Sequence, residues 1–255
     1  FDIYLEQFKI FIDTIEKGGI LIYNETDETL KKLVEENKRD DIRYQPYGLP
    51  DHSITDGKTT IEIEGVSATL KVFGNHNLLN LHAGYFVCKE LGIDALHFVD
   101  AIKTFSGAAK RLEQIFANED TIVYRDFAHA PSKVKATIDA VKQQYPDRKI
   151  IAVLELHTYS SLNEKFMQQY HGAMDSADVA VVFYASHALE LKRMPPLPKA
   201  AVEAGFGKKD LQVVNDKNEL SDFLRKQSYH NSVLLLMSSG DYDGLDIQRF
   251  LKETI

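Results

Sequence analysis

The sequence predicts an α/β fold in two parts, of which the second is a doubly wound domain with a mostly parallel sheet. Three observations support this prediction. Amphipathic helical patterns alternate with short apolar runs of strand length. The runs of the second part are nearly apolar throughout, as in parallel strands that helices cover on both faces. A break at Ser106-Gly107 separates that part from a less regular first part.

The first part opens with an amphipathic helix. Apolar residues recur at helical spacing between residues 3 and 15, and a glycine pair ends the pattern. A strand is predicted at residues 20–23. Thr26 is placed to cap a following helix that extends to about Glu36. This alternation is typical of a layered α/β domain.

Residues 53–72 predict a small antiparallel unit. Alternating apolar residues flank Asp56-Gly57, a strong signal for a two-residue hairpin turn, and a second turn is predicted near Gly65. The tripeptide starting at Gly57 also resembles the end of a phosphate-binding P-loop. That motif needs a glycine five residues earlier, where His52 stands, so the hairpin interpretation is preferred.

Two helices complete the first part. Residues 77–91 are apolar nearly all round, which predicts a buried helix. Asp94 is placed to cap the next helix, which extends to about Phe105. A domain boundary is predicted near Ala108, so that the two domains are residues 1–108 and 109–255.

Strands and helices alternate through the second part. The predicted strands are residues 122–127, 149–154, 179–183 and 233–237. Pro131 opens a helix after the first strand. Ser161 with Glu164, and Asp216 with Glu219, match the capping box of helix N-termini. With a last helix at residues 245–251, the pattern predicts a Rossmann-like domain.

Composition excludes some classes of function. The formal net charge is −8, which argues against a nucleic-acid binder because that function needs a basic face. No apolar run is long enough to span a bilayer, and no signal peptide is recognisable. The single cysteine, Cys88, permits no intrachain disulfide and suits a reducing compartment. We therefore expect a cytoplasmic protein without a nucleic-acid or membrane partner.

Four loops follow the predicted parallel strands of the second part. In doubly wound sheets, ligands bind beyond the carboxyl ends of the strands. The first three loops are rich in histidine, acidic and hydroxyl groups, and the fourth in glycine, serine and aspartate. They are residues 126–131, 155–161, 184–188 and 238–244.

Four short segments resemble motifs of the Mur ligases. Residues 74–80, GNHNLLN, resemble the family's GxHNxxN motif, and the basic pair Lys110-Arg111 resembles the start of its third domain. Residues 126–131, DFAHAP, resemble its DxAHxP loop, and residues 237–244 resemble the glycine turn after its last main strand. The segments occur in the family's order, and the resemblance covers nearly the whole chain.

The resemblance implies part of a three-domain, ATP-dependent amide ligase that acts on UDP-N-acetylmuramate. Residues 1–108 would be the C-terminal part of its central, ATPase-type domain, without the P-loop, and residues 109–255 its whole C-terminal domain. Because the chain begins at Phe1 inside an amphipathic pattern, we expect a piece of a longer protein. Because the P-loop is missing from it, we expect this piece to be inactive alone. ATP and Mg²⁺ are the implied cofactors, with magnesium ligands mostly upstream and none predicted here.

The loop after residues 149–154 bears on the amine that the ligase would add. Glu155 and the glycine turn resemble those of murein peptide ligase, which adds a peptide containing meso-diaminopimelate in peptidoglycan recycling. Relatives that add L-alanine usually have an arginine in this loop, and the peptide ligase usually has one near His157; this chain has neither. Because of Glu155 and the glycine turn a peptide is favoured, with L-alanine addition and a non-catalytic nucleotide- or peptide-binding module as alternatives. Oligomeric state is left open.

The resemblance also assigns roles to five side chains. Asn77 and Asn80 would lie by the adenine, Asp126 near the ribose, and Arg111 and His129 near the phosphates, with the last two as catalytic residues. The plain alternatives are a helix cap for the asparagines and for Asp126, a surface arginine, and a satisfied loop histidine. We expect all five groups to converge on one cleft.

Five further residues are predicted to line the site for the incoming amine. A diaminopimelate peptide carries carboxylates and an ammonium group, so it needs partners of both signs. Ordinary polar loop residues are the alternative interpretation. The predicted residues are Glu155, His157, Ser160, Ser239 and Asp241.

Overall fold

The computed structural model describes residues 2–255, and the chain divides into two compact units, one ending at Phe105 and one spanning Ser106–Ile255. The first unit has a two-stranded and a three-stranded sheet. Its elements are α1 (Asp2–Asp13), β1 (Ile20–Asn24), α2 (Glu28–Glu36), β2 (Arg43–Tyr47), β3 (Asp51–Thr55), β4 (Lys58–Ile63), β5 (Val66–Leu70), α3 (Asn75–Glu90) and α4 (Ala95–Ile102).

Strands β1 and β2 pair in parallel. The predicted helix α2 is present, but its cap is Asp27, whose carboxylate accepts from the amide of Leu30 at 3.0 Å. The prediction of Thr26 as the cap was wrong, because its hydroxyl donates instead to Asn24 Oδ1 at 2.7 Å. Strand β2 was not predicted, since its residues, with Pro46 among them, lack an apolar alternation.

The predicted antiparallel unit is confirmed. Asp56 and Gly57, with φ of 51° and 68°, turn β3 into β4, and both take the positive φ that a two-residue hairpin turn requires. A second turn at Glu64-Gly65 leads into β5. The inner face of β4 and β5 packs on α3 and α4 in a core that includes Tyr85.

Asp94 caps α4 as predicted, since its side chain accepts from the amide of His97 at 2.9 Å. Helix α3 begins at Asn75, two residues before the predicted start. Gly74, with φ of 89°, precedes it in a backbone conformation that few residues other than glycine adopt.

The second unit is built on one six-stranded sheet. Its elements are β6 (Glu113–Ala117), β7 (Thr121–Asp126), α5 (Pro131–Gln144), β8 (Lys149–Glu155), a 3₁₀ helix (Glu164–Tyr170), β9 (Val179–Phe183), α6 (Ser186–Leu191), α7 (Lys199–Phe206), β10 (Gln212–Val214), α8 (Lys217–Arg225), β11 (Ser232–Met237) and α9 (Ile247–Thr254).

The strand order is β10-β9-β8-β11-β7-β6, and all neighbouring pairs are parallel except β6 with β7. The predicted mostly parallel sheet is therefore confirmed. The antiparallel edge strand β6 was missed because its pattern is short and mixed. The last strand, β11, lies between the first two parallel strands, so that Met237 is level with both Asp126 and Leu154.

Two capping predictions in this unit differ in outcome. Asp216 caps α8 and accepts from the amides of Asn218 and Glu219, as predicted. The Ser161 prediction was wrong: Asn163 caps a 3₁₀ helix there, and the Ser161 hydroxyl accepts from the amide of Thr158.

Among the described residues, no helix has the length and apolar character needed to cross a bilayer.

Candidate functional site

The sheet order brings three of the predicted loops together at one edge. Because β11 lies between β7 and β8, the loops that follow these strands start side by side. The amide of Ser238 donates to the carbonyl of Asp126 at 2.9 Å, and the Ser238 hydroxyl donates to Glu155. The Asp126 and Glu155 loops therefore flank the end of β11.

Asp126 is a buried carboxylate that joins two segments. It is 4% exposed, and its oxygens accept from the amides of Leu112 and Ala128, each at 2.7 Å. The bond to Leu112 spans fourteen residues of chain and holds the segment at 110–112 against the loop after β7. The alternative role as cap of α5 is not what the structure shows, because the cap position is Ala130.

The 110–112 segment presents Arg111 to solvent. Lys110 and Leu112 have φ of 56° and 44°, and the Lys110 carbonyl accepts from the amide of Phe127 at 2.8 Å. Non-glycine residues with positive φ cost free energy and persist where surrounding contacts fix them. Between them, the guanidinium of Arg111 lies 5.4 Å from the ring centre of Phe127.

His129 lies on the same aromatic ring. Its imidazole meets Phe127 edge to face, with centroids 5.3 Å apart, and its Nδ1 is 2.9 Å from the Phe127 carbonyl. A carbonyl only accepts, so Nδ1 carries the hydrogen and a neutral His129 keeps a free acceptor at Nε2. We call Arg111, Phe127 and His129 the arginine cluster; it combines a cation and an imidazole at the end of β7, as a site for an anion requires.

Glu155 is the buried anion on the other side of β11. It is 2% exposed, and its Oε2 accepts from the Ser238 hydroxyl and from the Tyr242 amide, the latter at 2.9 Å. Its Oε1 lies 3.6 Å from Nδ1 of His157, whose side chain is 40% exposed. We call Glu155 and His157 the carboxylate–imidazole pair.

The loop at 238–244 is shaped around this pair. A Cβ added to Gly240 would lie 2.9 Å from both Glu155 Oε2 and His157 Nδ1, so the backbone approaches too closely for any other residue. The hydroxyl of Tyr242 lies 3.0 Å from the Met237 carbonyl, at the end of β11, and its burial raises its pKa well above the ordinary value. The Ser239 hydroxyl oxygen is buried without a hydrogen-bond partner among the described residues.

The remaining predicted amine-site residues lie at the surface of these loops. Ser160 is exposed, with its hydroxyl 3.2 Å from that of Thr158. Asp241 is exposed and accepts from the amide of Gly244 at 3.2 Å. Sequence reasoning missed Phe127 and Tyr242; the signal that could have indicated them is an aromatic residue within each polar strand-end loop.

The two asparagines belong to the first unit. Asn77 lies in the first turn of α3 and donates from Nδ2 to the Phe73 carbonyl at 2.8 Å, which is the structural role considered as its alternative. Asn80 lies one turn later and is exposed. Contact of either amide with adenine remains a prediction.

No group of three or more His, Cys, Asp or Glu side chains within residues 2–255 is placed to hold a metal ion. A recess of about 370 Å³ in the second unit lies on the flank of α5, against Ser132, Lys135 and Phe166. It is lined by none of the predicted site residues.

Comparison with known proteins finds a matching family model and relatives of this chain. A model of the Mur ligase glutamate ligase domain matches residues 110–240. The UDP-N-acetylmuramate–L-alanine ligase of Clostridium tetani is 28% identical over 252 residues, covering 92% of this chain and 53% of the relative. The same ligase of Streptococcus pyogenes is 31% identical over 237 residues, covering 88% and 51%. The chain thus spans about half the length of these curated relatives.

Solved structures show the same fold. A murein peptide ligase from Psychrobacter arcticus matches with a TM-score of 0.62 at 18% identity, over 98% of this chain and 54% of that one. The UDP-N-acetylmuramate–alanine ligase of Thermotoga maritima matches with a TM-score of 0.64 at 20% identity, over 92% and 51%. Since the domain model covers more than half of the residues, the chain belongs to the Mur ligase family.

Proposed function

We propose that this chain is the C-terminal part of a cytoplasmic, ATP-dependent carbon–nitrogen ligase that joins a peptide containing meso-diaminopimelate to UDP-N-acetylmuramate. One observation carries the proposal. The arginine cluster and the carboxylate–imidazole pair, which offer complementary charges, lie on opposite sides of the end of β11. A ligase of this type must hold an anionic nucleotide beside an incoming ammonium group, and these two groups suit those two ligands.

The proposed reaction forms an amide in two steps. A phosphoryl group from ATP activates the lactyl carboxylate of UDP-N-acetylmuramate as an acyl phosphate. The amine nitrogen then attacks the carbonyl carbon, the carbon–oxygen bond to phosphate breaks, and inorganic phosphate leaves. This chain's contribution is to position groups and offset charge. Magnesium is assigned no ligand in this chain.

Arg111 and His129 are the groups that we assign to the nucleotide phosphates. Arg111 is exposed and has no carboxylate partner among the ion pairs of the described residues, so its planar guanidinium can meet phosphate oxygens. Asp126 holds the backbone beside them and is proposed to contact the ribose as well. Asn80, and the amide oxygen of Asn77, are the proposed adenine contacts.

His157, Ser239, Asp241 and Ser160 are proposed to line the site for the amine. The buried hydroxyl of Ser239 has no partner among the described residues, as expected of a group that meets a ligand. Glu155 is almost completely buried behind His157, so we assign it to positioning instead of direct contact.

The test uses the full-length protein with ATP and UDP-N-acetylmuramate. The tripeptide L-alanyl-γ-D-glutamyl-meso-diaminopimelate and free L-alanine are supplied in parallel, and phosphate release and the amide product are followed by coupled assay and mass spectrometry. We expect product with the tripeptide. Arg111→Gln should lower turnover, whereas Arg249→Gln, on the exposed face of α9, should not.

L-alanine addition is the second candidate, because the curated relatives from Clostridium tetani and Streptococcus pyogenes are named as L-alanine ligases. Product with L-alanine alone would select it. Nucleotide binding without amide formation would instead favour a non-catalytic module. Absence of phosphate release that requires both UDP-N-acetylmuramate and an amine would overturn the ligase proposal.

A further inference from the structure

Two histidines lie at the ends of strands on either side of β11, in opposite electrostatic surroundings. We propose that His157, supported by the buried carboxylate of Glu155, is the group that takes a proton from the ammonium of the incoming amine. This inference rests on the proposed ligase function and names the proton acceptor for its second step.

The geometry of the pair fits a general base with a positioning carboxylate. Glu155 is fixed by Ser238 and Tyr242 through one oxygen, which leaves Oε1 directed to Nδ1 of His157 at 3.6 Å. A buried carboxylate next to an imidazole stabilises the imidazolium that forms on proton uptake. With Nδ1 directed to Glu155, Nε2 is the nitrogen that can reach a substrate, and the 40% exposure of the side chain permits that contact.

His129 has the opposite surroundings. Its Nδ1 faces a carbonyl oxygen, and the guanidinium of Arg111 lies across the ring of Phe127. At His129 the partner of Nδ1 is thus a neutral carbonyl, whereas at His157 it is the buried carboxylate of Glu155.

The other charged groups on the elements around His157 are of both signs. Asp241 and Asp243 lie in the loop at 238–244, and Asp243 is 3.1 Å from a second exposed imidazole, His187 of α6. The ammonium of Lys192 lies 5.0 Å from the ring centre of Tyr159. Of these groups, Glu155 is the one buried directly behind His157.

The proton transfer needs no reactant other than the substrates and water. An amine substrate is an ammonium ion at neutral pH and has no lone pair for attack. His157 Nε2 takes one proton and becomes imidazolium, and the free amine attacks the acyl carbon of the acyl phosphate. Phosphate leaves with the electrons of the broken carbon–oxygen bond, and the amide nitrogen loses its extra proton to water.

Hydroxylamine separates this step from the rest of the reaction. It is uncharged at neutral pH and attacks acyl phosphates without first losing a proton. The full-length enzyme is given ATP and UDP-N-acetylmuramate with hydroxylamine, or with the tripeptide or L-alanine, whichever amine the wild type accepts. His157→Gln should lower amide formation at neutral pH about 100-fold, as expected for loss of a general base, but change hydroxamate formation less than about threefold.

Two further variants test the roles of the pair. His157→Asn retains a donor near the position of Nδ1 but cannot take up a proton, so it should show the same selective loss. Glu155→Gln should lower the amide-to-hydroxamate ratio by about tenfold, because it removes the charge that supports the imidazolium. His230→Gln is the matched control, an exposed histidine paired with Asp120 at the opposite end of the sheet, and should leave the ratio unchanged.

The loss of amide formation in the His157 variants should also become smaller as pH rises, because more of the amine substrate is then already neutral. Equal losses with amine and hydroxylamine, or no loss with either, would overturn the assignment of His157. If wild-type enzyme formed no hydroxamate that required UDP-N-acetylmuramate, the ligase proposal itself would fail, and this inference with it.

Discussion

Asp126 offers the sharpest test of the site's architecture, because its buried carboxylate joins the segment that carries Arg111 to the loop that carries His129. Each oxygen accepts one backbone amide at 2.7 Å, from Leu112 and Ala128. Asp126→Asn keeps the size of the side chain but leaves one oxygen. Its NH₂ group must then face one of the two amides, which loses its partner.

The magnitude follows from these two contacts. A hydrogen bond to a charged group contributes about 1.5–3 kcal/mol, and a buried donor left without a partner costs about 1–3 kcal/mol. With one bond lost and the other made to a neutral acceptor, we expect destabilisation of about 3 kcal/mol. For a domain of 150–250 residues, this corresponds to a fall in Tm of about 6–12 °C.

Differential scanning calorimetry of the 255-residue chain measures the shift, and hydrogen exchange assigns the destabilised transition to the second unit. Asp210→Asn, at an exposed carboxylate, is the control and should change stability by less than about 0.5 kcal/mol. A shift for Asp126→Asn no larger than that of the control would refute the structural role and leave ligand contact as the reason for an aspartate there.

Two other perturbations test packing and charge. Gly205→Ala would place a Cβ 2.5 Å from that of Met167 and should lower the urea-derived free energy of unfolding by about 1–3 kcal/mol. Gly84→Ala, in helix α3, would place a Cβ that meets no atom within 4 Å, and it should raise that free energy by up to about 1 kcal/mol. Equal effects at the two glycines would contradict the close approach of Gly205 to Met167. The backbone amide of Lys110 and the guanidinium of Arg125 lower the pKa of Glu113 below its ordinary 4.5. The ionised Glu113 therefore stabilises the folded state above pH 4.5, and this contribution is lost as pH falls through the folded-state pKa. Glu113→Gln should therefore be less stable than wild type at pH 7, and urea titrations at pH 7 and pH 3 should show the difference narrowing in acid; a constant difference would rule out this linkage.

Local chemistry explains what could be predicted about the fold. The Asp56-Gly57 turn and the caps at Asp94 and Asp216 depend on neighbouring residues alone, and all three are as predicted. The caps predicted at Thr26 and Ser161 failed because a nearby side chain offered each hydroxyl a competing hydrogen bond. A pattern rule cannot rank such competitors, since it ignores their geometry.

The sequence by itself determined a doubly wound sheet, the motifs of the Mur ligase family, and polar loops where the parallel strands end. Only the tertiary structure decided that β11 enters between β7 and β8, because strand order depends on packing among residues far apart in the chain. That insertion places Ser238 against both Asp126 and Glu155. It also makes Glu155 a buried support for His157, a role that depends on burial and distance and not on residue type.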